Sequence, residues 1–126
     1  MVTGSAGDAV RAESLIAIPA RANAINQCGL PIAQTAALLA DADLYVGPNS
    51  GLLNVAAAVG THAFGLFGSI PPLTYSRFIH AIVPERQDEA APGGMLCISP
   101  DQVMARIVPY LAGNAALAND PQRSTP

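Results

Sequence analysis

The chain has 126 residues, of which 51% are hydrophobic and only 12% charged, and its formal net charge is −3. This length fits one domain with its own core, and the composition excludes an intrinsically disordered chain. The six Lys and Arg residues are scattered, which argues against nucleic acid as a partner.

The first half of the chain alternates between short apolar stretches and helical patterns. A glycine-containing turn over 4–7 leads into a helix that begins at Asp8, whose negative charge suits a helix N-terminus. Pro31 opens the second helix at a position where its missing N–H is no loss. In chain order this half is predicted to contain a strand over 1–3, a helix over 8–18, a weak strand over 22–26, a helix over 31–42 with Ile32, Thr35, Ala36 and Leu39 toward the core, and a strand over 44–46.

The second half continues the alternation and ends on the best-marked helix. Gly60 lies just past the third helix, where helices commonly end on a glycine in the left-handed backbone conformation. Ser99 caps the last helix, Pro100 takes its first turn, and Gln102 completes a capping box. This half is predicted to contain a helix over 52–59, a strand over 63–67, an irregular segment over 69–77, a strand over 79–83, a loop over 84–94, and a last helix that ends at Gly113 with Val103, Ile107, Tyr110 and Leu111 on its apolar side. These segments predict an α/β domain with a parallel sheet.

The predicted domain spans 1–112, and the aperiodic residues 113–126 are predicted to form a disordered tail. The first strand has at most three residues before its turn, whereas buried parallel strands usually have about five. We therefore expect that a first strand and helix are missing and that the chain is a fragment of a larger fold.

Cysteine and histidine usage points to no metal site. Cys28 and Cys97 are far apart in sequence and outside any zinc-binding spacing, so two reduced, buried thiols in a cytosolic protein are expected. His62 is expected to be structural, and His80 has no assigned role. No signal peptide or membrane-spanning run is evident.

A strand, a glycine-containing turn, a helix and a second strand follow one another in the middle of the chain. In open α/β sheets, ligands bind beyond the carboxyl ends of the strands. Asn49 or Ser50 can cap the helix, and the N–H groups of Gly51, Leu52 and Leu53 would then point outward at its positive end. A phosphate or diphosphate fits this turn without a lysine, although an ordinary helix cap has the same composition.

The run over 31–68, PIAQTAALLADADLYVGPNSGLLNVAAAVGTHAFGLFG, resembles the C-terminal domain of the ADP-heptose:lipopolysaccharide heptosyltransferases, glycosyltransferase family nine. In that family a Leu- and Ala-rich helix leads through A-D-L to a strand. A D-[S/T]-G-P-M-H signature, an Ala-rich helix, G-T-P and a strand ending in F-G follow. The early run TGSAGD is similar to the family's glycine-containing turn with its acidic residue. The resemblance covers about 2–111 and is specific over 31–68.

The resemblance implies a Rossmann-like three-layer α/β domain, the C-terminal half of a GT-B fold in which two such domains face one cleft. The implied reaction transfers a sugar from a nucleoside diphosphate to a lipopolysaccharide or other glycan acceptor, without a cofactor or an essential metal. The implied partners are a nucleotide-diphosphate sugar, with an ADP-sugar favoured, and a missing N-terminal acceptor domain or partner subunit that holds the catalytic base. The chain alone is expected to be inactive. Its expected location is the cytoplasm or, through its acceptor, the periphery of the inner membrane.

The resemblance also assigns candidate site residues, although it leaves the catalytic residue unknown. Those expected against the donor diphosphate and sugar are Asn49, Ser50, Gly51, Leu52 and Asn54, and those expected at the pocket border are Gly4, Gly68 and Arg77.

Several residues depart from the family signature. Asn49 stands where the family has Asp, Asn54 where it has His, and His62 where it has Pro. An Asn carries no charge, and it does not titrate near neutral pH as His does. The alternative interpretation is therefore a catalytically inactive nucleotide-binding or assembly module of this fold. A flavodoxin-like binder is a third and weaker interpretation, since the chain has no G-x-G-x-x-G and no aromatic pair for a flavin.

Overall fold

A computed structural model of the chain describes residues 1–18, 23–85 and 94–118, with side chains to residue 113. Short 3-10 turns at Ala6–Asp8 and Met95–Cys97 accompany the regular elements. The described helices are α1 (Ala9–Ile16), α2 (Ile32–Ala40), α3 (Gly51–Ala58) and α4 (Pro100–Ala118), and the described strands are β1 (Tyr45–Pro48), β2 (Ala63–Leu66) and β3 (Ile79–Ile82).

The three strands form one parallel sheet in the order β1-β2-β3. Tyr45 lies opposite Ala63, and Ala63 lies opposite Ile79. Parallel neighbours cannot be joined by a tight hairpin, so the chain must cross over between them. Helix α3 makes the crossover from β1 to β2. The predicted α/β class and parallel sheet are therefore confirmed.

The two strands predicted near the N-terminus are reduced to one parallel bridge between Val2 and Asn26. It consists of the hydrogen bonds from Val2 N–H to Ile25 O (2.9 Å) and from Gln27 N–H to Val2 O (2.8 Å). The described sheet thus has three strands instead of the five expected from the apolar segments. The two segments pair only at Val2 and Asn26, and residue 22 of the second lies outside the described residues.

Alternating side chains of the strands divide the core into two clusters, one on each face of the sheet. Ala63 faces α2 and α3, while its neighbour Phe64 faces α4, as the period of two in a strand requires. The first cluster comprises Leu39, Tyr45, Leu53, Ala56, Ala57, Ala63, Phe67 and Ile79, and the second comprises Phe64, Ile82, Ile98 and Ile107. The result is a three-layer arrangement of helices, sheet and helix.

The end of α3 is closely specified by local chemistry. Gly60 has a φ of 88°, the left-handed conformation that was predicted for it. Thr61 follows, and its buried hydroxyl donates to Leu39 O at 2.5 Å. Because this carbonyl belongs to α2, the bond ties the two helices of one face together and leaves the buried hydroxyl satisfied.

Helix α4 begins where it was predicted to begin, but it ends later than predicted. The Gln102 N–H donates to Ser99 Oγ at 3.1 Å, while the Gln102 side chain donates to Val83 O and so leaves the capping box half formed. The helix continues through Pro109 and Gly113 to Ala118, so the predicted end at Gly113 is wrong. The Ala-rich residues that follow favour helix strongly enough to outweigh one glycine, which costs about 1 kcal/mol. Residues 119–126 of the predicted tail lie outside the described residues.

Two residues predicted to face the core are instead exposed. Ile32 is 62% exposed and Leu111 is 41% exposed, because α2 packs through Thr35 and Leu39 and α4 packs through Ile107.

The cysteines are free, as expected, but both are half-buried instead of fully buried. Most of the loop predicted over 84–94 lies outside the described residues. No helix in the described ranges is long and apolar enough to cross a membrane.

A pair of glycine substitutions tests this packing. A Cβ on Gly65 would lie 2.7 Å from Phe67 Cε2 and 2.8 Å from Leu53 Cδ2, whereas nothing lies within 4 Å of one on Gly113. Gly65→Ala should therefore lower the free energy of unfolding by about 1–3 kcal/mol, and Gly113→Ala should raise it by up to about 1 kcal/mol. Urea unfolding measures both, and equal effects of the two substitutions would contradict the packing.

Candidate functional site

A cavity of about 560 Å³ opens at the carboxyl end of β1, between the N-terminal turn and the start of α3. This is the edge at which open α/β sheets bind their ligands, and the volume lies within the range of small-molecule sites. The floor is largely apolar, with Leu15, Ile32 and Val55 among its residues.

The α3 wall presents an uncapped helix start. Ser50 is extended (φ −145°, ψ 173°), and within the described residues no side chain caps the first turn. The Ser50 side chain instead hydrogen-bonds Tyr45. A Cβ on Gly51 would meet nothing within 4 Å, and Gly51 and Leu52 line the cavity. The Leu53 N–H donates to Ser50 O at 3.1 Å, so the amides left for a ligand are those of Gly51 and Leu52. These amides and the aligned peptide dipoles make this wall favourable for an anion.

The opposite wall comes from the N-terminal turn and α1, and it carries two charged residues. The main-chain N–H and the hydroxyl of Ser5 donate to Asp8 Oδ2 at 3.0 and 2.6 Å. The hydroxyl bond, followed by the main-chain bond, holds the pKa of Asp8 below its ordinary value of 3.8. Asp8 is therefore ionised at neutral pH. Arg11, nearly one helical turn later, lines the same cavity.

Tyr45 forms part of the cavity between the two walls. It is 8% exposed, and burial raises the pKa of its hydroxyl, while its hydrogen bond with Ser50 opposes that shift. Its hydroxyl occupies the space where a side chain at position 47 would project, which explains why Gly47 stands there. The sequence indicates only that Tyr45 belongs to a strand. Its place in the cavity could not be predicted, because its contact with Ser50 depends on how the turn after β1 folds back.

Four of the residues assigned from the sequence lie together in this cavity: Gly4, Ser50, Gly51 and Leu52. Asn49 is half-buried at the end of β1, where its N–H donates to Leu66 O at 3.3 Å, and it does not line the cavity. The N-terminal turn and the start of α3 come together although 45 residues separate Ser5 from Ser50.

The other three assigned residues lie elsewhere. The side-chain oxygen of Asn54, on the exposed side of α3, accepts a hydrogen bond from the Tyr75 hydroxyl. Gly68 packs tightly against the backbone of residues 94–95. The Arg77 guanidinium lies over the ring of Phe78, 4.9 Å from its centre. Conversely, Asp8, Arg11 and Tyr45 line the cavity but were not assigned from the sequence; the acidic residue in TGSAGD was the one signal for Asp8.

The described residues contain no group of three or more His, Cys, Asp or Glu side chains that could hold a metal ion. The residues that line the cavity offer hydrogen bonding, charge and apolar contact. An anion is favoured at α3, and a carboxylate and a guanidinium face it from the N-terminal wall.

A parallel sheet flanked by helices, with a cavity at its carboxyl edge, defines a Rossmann-like class of α/β domain. The sequence of residues 1–85 matches the family model of glycosyltransferase family 9 (heptosyltransferase). This segment is more than half of the chain and includes both walls of the cavity. The chain belongs to this family of glycosyltransferases, which implies a sugar-nucleotide donor. No curated protein and no solved structure matches the chain.

Removal of the Ser5 hydroxyl tests the charge of the N-terminal wall. Ser5→Ala should raise the pKa of Asp8 toward 3.8, because the largest interaction that lowers it is lost. A carboxyl whose pKa is lowered by folding stabilises the native state above pH 3.8, and this contribution disappears as the pH falls through the folded pKa. NMR titration of the Asp8 carboxyl carbon measures the shift, and Ser5→Thr, which keeps a hydroxyl, is the control. An unchanged Asp8 pKa in Ser5→Ala would contradict the hydrogen-bonded arrangement.

Proposed function

We propose that this cavity holds the nucleotide-diphosphate sugar of a glycosyltransferase reaction, with an ADP-sugar favoured, and that the chain is the donor-binding part of that enzyme. The observation that carries the proposal is the uncapped start of α3 facing a cavity within the segment that belongs to the family. The amides of Gly51 and Leu52 are the groups proposed to bind the diphosphate.

The proposed chemistry is stabilisation of a leaving group. As the bond between the sugar and the diphosphate breaks, negative charge accumulates on the departing phosphate oxygens. Fixed amides at a helix N-terminus bind that charge without reorganisation, and Arg11 supplies a positive charge from the facing wall. The apolar residues of the floor offer contact to a nucleobase, and ionised Asp8 can accept hydrogen bonds from sugar or ribose hydroxyls.

We further propose that the glycan acceptor, lipopolysaccharide in the family resemblance, and the catalytic base are held by a second domain or subunit. In the cavity, Asp8 has an oxygen already bonded twice by Ser5 and a lowered pKa, which makes it a poor general base near neutral pH.

The alternative is a binding or assembly module that has lost catalysis. It is favoured by the neutral side chains at Asn49 and Asn54, and by the bond that engages the Asn54 oxygen with Tyr75. The donor-binding part and an inactive nucleotide-binding module share the requirement of nucleotide binding, and they differ in whether sugar transfer occurs once the acceptor-binding half is supplied. An assembly module needs no nucleotide.

Thermal unfolding with added nucleotide tests the shared requirement. A ligand that binds only the folded state stabilises it by about 2.7 kcal/mol at a hundred times its Kd. ADP-sugar should therefore raise the Tm by several degrees, more than a UDP-sugar or free pyrophosphate does. An unchanged Tm at millimolar ADP-sugar, with well-folded protein, would contradict the donor-binding function and the nucleotide-binding module, and would favour the assembly module.

A substitution at the start of α3 tests where the ligand binds. Gly51→Leu places a side chain in the open space beside the first amides, with no protein atom within 4 Å of its Cβ. Since leucine also favours helix over glycine, the unliganded Tm should not fall. We expect ADP-sugar affinity to fall at least tenfold, as measured by titration calorimetry. Leu substitution at Gly113, which is equally open but remote in sequence from the cavity, is the matched control. Unchanged affinity in Gly51→Leu would place the ligand elsewhere.

A further inference from the structure

His62 and His80, the only two histidines of the chain, meet through their rings on the α4 side of the sheet. His62 Nδ1 lies 2.7 Å from His80 Nε2, the ring centres are 5.0 Å apart, and the ring planes differ by 16°. The distance between the nitrogens, with one ring radius added at each side, accounts for the separation of the centres. The rings therefore lie end to end and nearly coplanar, joined by an N–H···N hydrogen bond, and are not stacked face to face.

Aromatic rings from the sheet and from α4 enclose this pair. Tyr110 of α4 lies 4.8 Å from the His62 ring, and Phe64 of β2 lies 4.9 Å from the His80 ring, with its plane 26° from parallel. Phe78, just before β3, meets His62 edge-on at 5.3 Å. The hydrogen-bonded pair thus belongs to the contact by which α4 packs on the sheet.

Two arginines lie near the pair. The positive charge of Arg106 on α4 repels a proton on His80, and Arg77 lies over the ring of Phe78. Burial, followed by His62 and then Arg106, holds the pKa of His80 below its ordinary value of 6.5. Within the described ranges neither imidazole is hydrogen-bonded to a carboxylate. Charge added to the pair therefore meets repulsion and desolvation without a compensating anion.

We propose that the His62–His80 pair is an acid-sensitive latch that holds α4 against the sheet. Between the two facing nitrogens there is room for one proton. A first added proton binds the outer nitrogen of the donor ring, which leaves the bond in place and makes it charge-assisted. A second added proton must bind the facing nitrogen of the acceptor ring. It removes the bond's acceptor and puts two cations side by side, so α4 separates from the sheet.

The direction of the pH effect follows from the proton count. Docked α4 tolerates one added proton on the pair, whereas an undocked pair takes up two as the pH falls below the ordinary histidine value of 6.5. Docking is therefore at full strength well above that value and weakens on acidification. The difference approaches one proton well below pH 6.5, where the docking equilibrium changes by about tenfold per pH unit.

Hydrogen exchange of the α4 amides, followed by mass spectrometry or NMR, tests the latch in the whole chain. After correction for the intrinsic exchange rate, α4 protection factors should fall about fivefold between pH 6.5 and 5.5, because the proton difference is still partial in this range. Amides of α3, which packs on the other face of the sheet, serve as the internal reference and should change little. Equal protection of α4 at both pH values in folded protein would overturn the proposal.

A double variant separates the latch from general acid sensitivity. In His62→Asn/His80→Gln the amide nitrogens and oxygens take the places of the two bonded ring nitrogens, so a hydrogen bond remains possible without a titratable group. Its α4 protection should no longer depend on pH between 5.5 and 7.5. Retention of the wild-type pH dependence would overturn the proposal.

If the double variant does not fold, NMR titration of the two imidazoles in the wild-type chain decides the question. The latch requires two well-separated protonation steps that both rings report, as expected of coupled sites. Two independent titrations near the ordinary histidine pKa would overturn it.

Discussion

The parallel pairing of β1 with β2 is the constraint on which the rest of the structure depends. Two parallel neighbours can be joined only by a chain that returns across the sheet, and α3 is that return. Its buried side chains, Leu53 and Ala56, pack on the sheet and hold its axis in place. The N-terminus of α3 is consequently brought to the carboxyl edge of β1, where the cavity opens.

Close packing beneath this crossover depends on the absence of side chains at two positions. At Gly65 the space that a Cβ would need is taken by Phe67 and Leu53, and at Gly47 it is taken by the Tyr45 hydroxyl. Tyr45 in turn engages Ser50, which leaves the first turn of α3 without a side-chain cap among the described residues. The packing of one strand face thus decides the chemistry that the site presents.

The two faces of the sheet have separate chemistry. The α3 face carries an apolar core and leads to a cavity with ionised Asp8, Arg11 and an anion-favouring helix start. The α4 face carries the coplanar histidine pair, with arginines nearby. Family membership and the donor proposal concern the first face, and the latch concerns the second, so the two proposals stand on different residues and fail independently.

Local patterns in the sequence determined the α/β class, the crossover helix, the left-handed Gly60 and the Ser99 cap, because periodicity and capping act over a few residues. The 31–68 run likewise sufficed to indicate the family to which the chain belongs. Only the tertiary structure decided that Asp8, Arg11 and Tyr45 share a cavity with Ser50, and that His62 and His80 are hydrogen-bonded to each other. Apart from Tyr45, which is five positions from Ser50, those residues are 18 to 42 positions from their partners, and their geometry depends on how whole elements pack. The same reason explains the errors at Ile32 and Leu111, since a helical pattern shows which residues share a face but not how much of that face a neighbour covers.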